Sequence, residues 1–160
     1  MVKSFLFSQS GLKHDRLAEP KAVAPSGSGS GMPTECSELA VRVYYEDTDS
    51  SGRVYHASYL RFLERGRTEW LRGRGFTHPD LERFGIVFAV RSMQIDFLAP
   101  ARIDDLLSIE TSAPPPRGAS VEFHQRVILG EKTLVAAIVL VAAIRDGRPA
   151  RLPASLRQAL

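Results

Sequence analysis

Read from its N-terminus, the chain has no sustained periodicity until Leu39, and from there the pattern of apolar and polar positions becomes regular. "LAVRVYY" alternates, with Leu39, Val41, Val43 and Tyr45 on one side and Arg42 and Tyr44 on the other, which predicts a strand. The period then changes. Tyr55, Tyr59, Phe62, Leu63, Gly66 and Trp70 form one helical stripe, flanked by Arg61, Glu64, Arg65, Glu69 and Arg72. "RGRG" at Arg72–Gly75 ends that helix after about 20 residues, or about 30 Å.

Four strand-like segments follow, with no further helix expected until the last few residues. "VFAVRSMQIDFLAP" sets Ala89, Met93, Ile95 and Phe97 against Ser92, Gln94 and Asp96. "IDDLLSIETSA" aligns Ile103, Leu107 and Ile109, and "ASVEFHQRVIL" aligns Val121, Phe123, Val127 and Leu129 opposite Glu122, His124 and Arg126. "TLVAAIVLVAAI" is apolar throughout, as expected of a strand covered on both faces. "LGEKT" reads as a hairpin turn and "PPPRGAS" as a looser one. One long helix and five strands predict an α+β domain in which a curved, mostly antiparallel sheet wraps that helix. A single sheet of this kind leaves strand surface open, so self-association is expected.

Composition adds boundaries. A chain of 160 residues with 44% hydrophobic and 24% charged content suits one globular domain. Residues 1–37 stand apart: "APSGSGSGMP" has the composition of a flexible linker, so a flexible extension over 1–37 and a folded domain over 38–160 are expected, with Met32 a candidate native start. The apolar runs before the linker are too short for a signal-peptide core, and none in the chain reaches the length of a membrane span. The formal charge of +3 comes without the basic stripe and interleaved aromatics of a nucleic-acid surface. The single cysteine, Cys36, excludes an internal disulfide and a cysteine-based metal cluster and fits a reducing cytoplasm.

The chemistry concentrates at "EDTDSSGRVYHA". Asp47-Thr48-Asp49-Ser50-Ser51-Gly52 fits the first half of a calcium-binding loop, but the twelfth position is Ser58, where a bidentate carboxylate is required, and a strand precedes the loop. Calcium is not expected. The conservative reading of Glu46, Asp47 and Asp49 is turn solvation and helix capping. The other reading joins Asp49, a glycine turn and His56 at the helix start. Unpaired N–H groups there can hold an oxyanion, and a carboxylate beside them can attack a carbonyl or activate water. His14, His78 and His124 read as tail, loop and strand-face residues, and no nucleophile elbow, phosphate loop or zinc-protease motif occurs.

"VRVYYEDTDSSGRVYHASYLRFLERGRTEWLR" resembles the opening of the 4-hydroxybenzoyl-CoA thioesterase-like hotdog proteins, and in particular acyl-CoA thioesterases associated with the Tol–Pal envelope system. The likeness runs from about Leu39 to Pro153 through "FAVRSMQIDFLAPARIDDLLSIET" and "RGASVEFHQRV". It implies hydrolysis of acyl-CoA to free acid and CoA, with Asp49 the catalytic carboxylate and the His56 N–H polarising the thioester carbonyl. It implies no metal and no cofactor. Arg117 matches a place where relatives carry basic residues for the CoA phosphates, although Gly118 and Ala119 replace the rest of that cluster. Tyr55 and Tyr59 read first as core, with Tyr59 also a candidate for lining the acyl pocket. A cytoplasmic homodimer or homotetramer, in peripheral association with envelope or lipid-synthesis proteins, completes the expectation. The alternatives are a hotdog enoyl-CoA hydratase or dehydratase, and a non-catalytic acyl-CoA-binding scaffold.

Overall fold

A computed structural model describes residues Cys36–Leu160. The expected extension therefore lies outside the described residues, apart from its last two positions; Cys36 is exposed and Ser37 already opens the first strand.

The elements are β1 (Ser37–Arg42), α1 (His56–Gly73), α2 (His78–Arg83), β2 (Val87–Phe97), β3 (Leu106–Ser112), β4 (Ser120–Leu129), β5 (Lys132–Arg145), β6 (Arg148–Pro149) and α3 (Ala154–Ala159). The five long strands pair antiparallel in the order β1-β3-β4-β5-β2, and the two-residue β6 adds to the end of β5. The sheet curls around α1. This is the hotdog arrangement expected from the sequence, with β1 and β2 as its edges.

The helical stripe is the core. Phe62, Leu63 and Trp70 are fully buried against Leu107 and Ile109 of β3, Val121 and Val127 of β4 and Val139 of β5. The Trp70 ring meets Phe123 edge to face at 5.3 Å, a geometry worth about 1 kcal/mol beyond the area buried.

Gly66 marks where α1 comes closest to the sheet. A Cβ there would stand 2.8 Å from Thr111 Oγ1 and 2.9 Å from Ile109 Cγ2. Beneath it lies a polar cluster that the alternation of β4 hid. Gln125 faces inward with Val121, Phe123 and Val127, and is itself buried. Its amide donates to the Leu63 carbonyl at 2.8 Å and to Thr111 Oγ1 at 2.9 Å, and its oxygen accepts from Arg67 Nη1 at 2.9 Å. An inward amide left unpaired would cost a few kcal/mol, and these partners remove that cost.

Several expectations need correction. Tyr45 leaves the strand face: Asp47 accepts the Tyr44 N–H at 3.0 Å, a 3-10 turn forms at Tyr45–Asp47, and Tyr45 is left 83% exposed. Tyr55 is outside the core, because it precedes the first turn of α1 and is 47% exposed. Ile103 precedes β3 and is exposed, in a turn where Asp104 takes a left-handed φ of 67°. A helix missing from the sequence reading, α2, starts at His78, so that residue is helical rather than in a loop; Thr77 and Asp80 form the capping box that starts it. Finally, β5 is covered on one face only. Val135, Val139 and Val141 are buried, whereas Ile138 on the outer face is 41% exposed, since no element packs behind the sheet among the described residues.

Candidate active site

The segment between β1 and α1 folds back on itself. The Tyr55 N–H donates to the Asp47 carbonyl at 2.9 Å, Thr48 bridges Val54, and the Asp49 N–H donates to the Arg53 carbonyl at 2.9 Å. Gly52, at φ 71°, makes the reversal. This short ladder carries Asp49 out and returns the chain to His56, the first residue of α1. A second bridge, Arg53 to Arg102, and the Val54 N–H donating to the Ala101 carbonyl at 2.9 Å pin the unit to the loop after β2.

The two aspartates have divided roles. Asp47 is buried, accepts from Tyr44, and pairs with Arg61 Nη2 at 3.2 Å. It is a structural brace, and the sequence reading as a solvated turn residue misses it. Asp49 is exposed. Its Oδ1 accepts the Ser51 hydroxyl at 2.6 Å and the Ser51 N–H at 2.8 Å. The Ser51 hydroxyl, then its N–H, and more weakly Arg53 hold the Asp49 carboxyl below the ordinary aspartate range.

The start of α1 is open. Its N-cap residue, Tyr55, supplies no side-chain acceptor, and no acidic residue lies in the first turn. The Ser58 N–H turns back to the Tyr55 carbonyl at 2.8 Å. The N–H groups of His56 and Ala57 precede any intrahelical acceptor, and the helix dipole adds positive potential there. Beside them stands an aromatic wall. The His56 ring lies 4.3 Å from Tyr55 and 6.4 Å from Phe97, which is 48% exposed.

Tyr59 sits one layer deeper. It is 3% exposed, its ring packs on Phe62 and Phe97, and its hydroxyl oxygen accepts the Ala101 N–H at 2.9 Å. Burial pushes its pKa up. Asp49 thus stands exposed in the turn that leads into His56, opposite Arg53 in the ladder, and Tyr59 joins His56 through the ring of Phe97.

Arg117 is not brought there. It is exposed in the β3–β4 turn, where the Ala119 carbonyl accepts from Ala143, the partner of Phe88 on β2. His56 lies by Phe97, at the other end of that strand. The span of β2, about 30 Å at the usual rise, separates the two ends within one chain. His124, as expected, lies on the outer face, where it contacts Glu122 at 2.8 Å.

Comparison with known proteins agrees with this architecture. Residues 51–136 match the family model of the thioesterase superfamily. The chain is 45% identical over 128 residues to an acyl-CoA thioester hydrolase, YbgC, of Escherichia coli O6:H1, covering 78% of this chain and 96% of that protein. It is 43% identical over 122 residues to the acyl-CoA thioesterase YbgC of Haemophilus influenzae, covering 74% of this chain and 90% of that one. Among solved structures, a probable thioesterase from Bartonella henselae superposes with a TM-score of 0.71 at 45% identity, covering 74% of this chain and all of the other. With its curled antiparallel sheet, central helix and matched sequence, the chain belongs to the thioesterase superfamily.

Proposed function

We propose that the protein is an acyl-CoA thioester hydrolase whose catalytic carboxylate is Asp49 and whose oxyanion site is the N–H of His56. The activity follows from membership of the family and from its likeness to the YbgC hydrolases. One observation supports the site: a closed loop holds an exposed carboxylate, its pKa lowered, in the turn that leads into the uncapped start of the central helix.

In this mechanism the thioester oxygen rests on the His56 N–H, and charge developing on it is stabilised by a donor and dipole fixed before the reaction. Both Ser51 bonds fall on Asp49 Oδ1. Oδ2 then either attacks the carbonyl carbon or takes a proton from a water that attacks it. Collapse of the tetrahedral intermediate expels the CoA thiolate, which takes up a proton, and the acid is released, with a water hydrolysing the anhydride if Asp49 was the nucleophile. A depressed carboxylate is a weak base but stays fully ionised at neutral pH. Tyr59 backs the acyl side of the site by holding Phe97 in place.

The pH profile tests Ser51. A carboxylate whose pKa lies below the usual value keeps activity flat through neutral pH and loses it only in acid. Ser51→Ala removes the largest of the causes that lower the Asp49 pKa, so the acid limb of kcat/KM should move to higher pH, toward the ordinary aspartate value. An unmoved limb would detach Ser51 from the catalytic group.

Assembly completes the site in this reading. The free edge of β2 exposes Val87, Val90 and Phe97, the kind of apolar unpaired edge that invites another strand. Antiparallel pairing of two β2 strands about their middle sets the Phe97 end of one copy against the Val87 end of the other. The partner's Asp49 end then approaches the end that carries Arg117, which could hold CoA phosphates there. Ser92 is the middle residue of β2, so Ser92→Asp would oppose like charges across the pair. Size-exclusion chromatography should show dissociation together with lost turnover. Full turnover from a monomer would refute the shared site.

A homodimer, or a tetramer built from it, is the proposed unit. No helix among the described residues is long and apolar enough to cross a membrane. A cytoplasmic location and peripheral association with envelope or lipid-synthesis proteins extend the same reading, and co-purification from fractionated cells tests them. The activity itself is tested by thiol release across acyl-CoA substrates from short aliphatic to aromatic and long-chain. Absence of release from all of them, or loss of enoyl-CoA absorbance instead, would reject it.

A further inference from the structure

Arg61 lies in the second turn of α1, on the polar flank of the helical stripe, where periodicity alone makes it a solvated side chain. The fold gives it more to do. Its side chain is 53% exposed, yet Nη2 donates to Asp47 Oδ1 at 3.2 Å and to Ser58 Oγ at 3.1 Å, and Asp47 and Ser58 are both buried. The other oxygen of Asp47 accepts the Tyr44 N–H at 3.0 Å, and its main-chain carbonyl accepts the Tyr55 N–H at 2.9 Å. Asp47 is therefore bonded at both ends of the loop and, through Arg61, to the helix. Among the described residues, this pair is the one side-chain hydrogen bond from the loop, 44–55, to α1.

A buried carboxylate that loses its cation is left with an uncompensated charge, a change far more costly than losing an exposed pair. Without Arg61, the Asp47 carboxylate keeps a single N–H donor, and turning outward to water relieves its charge. Ser58 cannot follow, because its N–H is bonded back to the Tyr55 carbonyl at the helix start. The main chain on either side of Asp47 then shifts against α1. Thr48 bridges Val54 and the Asp49 N–H is bonded to the Arg53 carbonyl, so the short ladder that carries Asp49 shifts with it.

We propose that Arg61 is a positioning residue for the hydrolysis: through Asp47 it fixes the Asp49 loop against the helix whose first turn is the oxyanion site. This role rests on Asp49 being the catalytic carboxylate. Arg61 makes no hydrogen bond to Asp49, whose side chain is bonded to Ser51. Its effect is on where the loop sits.

The test uses the full chain and reads kinetics, thermal melting and hydrogen exchange together. Arg61→Met keeps the apolar stem and removes the charge. It should lower kcat about tenfold, short of the roughly hundredfold that a shift of about 1 Å can cause, with KM within about twofold. Exchange in the 47–55 peptide should be about tenfold faster. Arg61→Lys, which restores a cation without the fork, should recover part of the lost kcat. In an Asp47→Asn background, Arg61→Met should cause no further loss, since the two act as one unit. Normal kcat in Arg61→Met, no recovery in Arg61→Lys, or a full additional loss in the Asp47→Asn background would each overturn the proposal. Exchange needs no turnover, so the two readings can fail separately. Faster exchange in Arg61→Met beside normal kcat in Asp49→Asn rejects the role of Asp49, and the positioning role with it. Unchanged exchange and kcat in Arg61→Met beside an inactive Asp49→Asn rejects Arg61 alone.

Discussion

Asp49→Asn should lower kcat for acyl-CoA hydrolysis by about 10²–10³-fold or more while leaving the fold intact, the scale of losing one preorganised electrostatic element. The fold is insulated because the carboxylate is exposed and bonds only within its own turn, to Ser51. An asparagine oxygen can still accept both Ser51 bonds, so loop geometry should persist. What disappears is the negative charge, and with it both the nucleophile and the base. KM should change little, since the loss falls on the transition state rather than on substrate binding. The check is steady-state kinetics beside a thermal melt. Near-normal kcat in a folded Asp49→Asn protein would remove Asp49 from the chemistry. The matched change Asp47→Asn should behave differently: that carboxylate is buried against Arg61, so the melt shifts as well.

Gly66→Leu should destabilise the protein by about 3 kcal/mol or more, at or beyond the upper end for overpacking a core. Even a Cβ would meet Thr111 Oγ1 at 2.8 Å, Ile109 Cγ2 at 2.9 Å and Gln125 Nε2 at 3.1 Å. These atoms cannot step aside easily. Thr111 and Ile109 are β-branched and buried on β3, and the Gln125 amide is held by the Leu63 carbonyl. The gain in helix propensity on replacing glycine, about 1 kcal/mol, is smaller than this clash. In a chain of this size each kcal/mol moves Tm by about 2–4 °C, so calorimetry should find a fall of roughly 6–12 °C. A melt unchanged from that of the parent protein would mean that α1 does not cross the sheet at Gly66.

Much of the fold was legible because its elements rest on local periodicity. The stripe from Tyr59 to Trp70 and the alternation of Val121, Phe123 and Val127 encode which side faces inward, whatever lies opposite. The misreadings fell where a distant partner overruled the local pattern. Tyr45 left its strand because Asp47 took the Tyr44 N–H, and Asp47 itself was drawn inward by Arg61, fourteen positions on. Gln125 stood on an apolar face in plain sight. A satisfied amide there needs Arg67, Thr111 and the Leu63 carbonyl, three groups that alternation along one strand cannot indicate.

The sequence alone established the central helix, the antiparallel sheet around it and the unit of carboxylate, glycine turn and helix start, since each is written within a few residues of chain. The tertiary structure alone decided that Asp47 is buried against Arg61 while Asp49 stays exposed, that Arg117 stands at the other end of the sheet from it, and that Arg67 is enclosed between α1 and the sheet. Those outcomes depend on strand order, register and burial. Such quantities come from groups that meet only when the whole chain has closed.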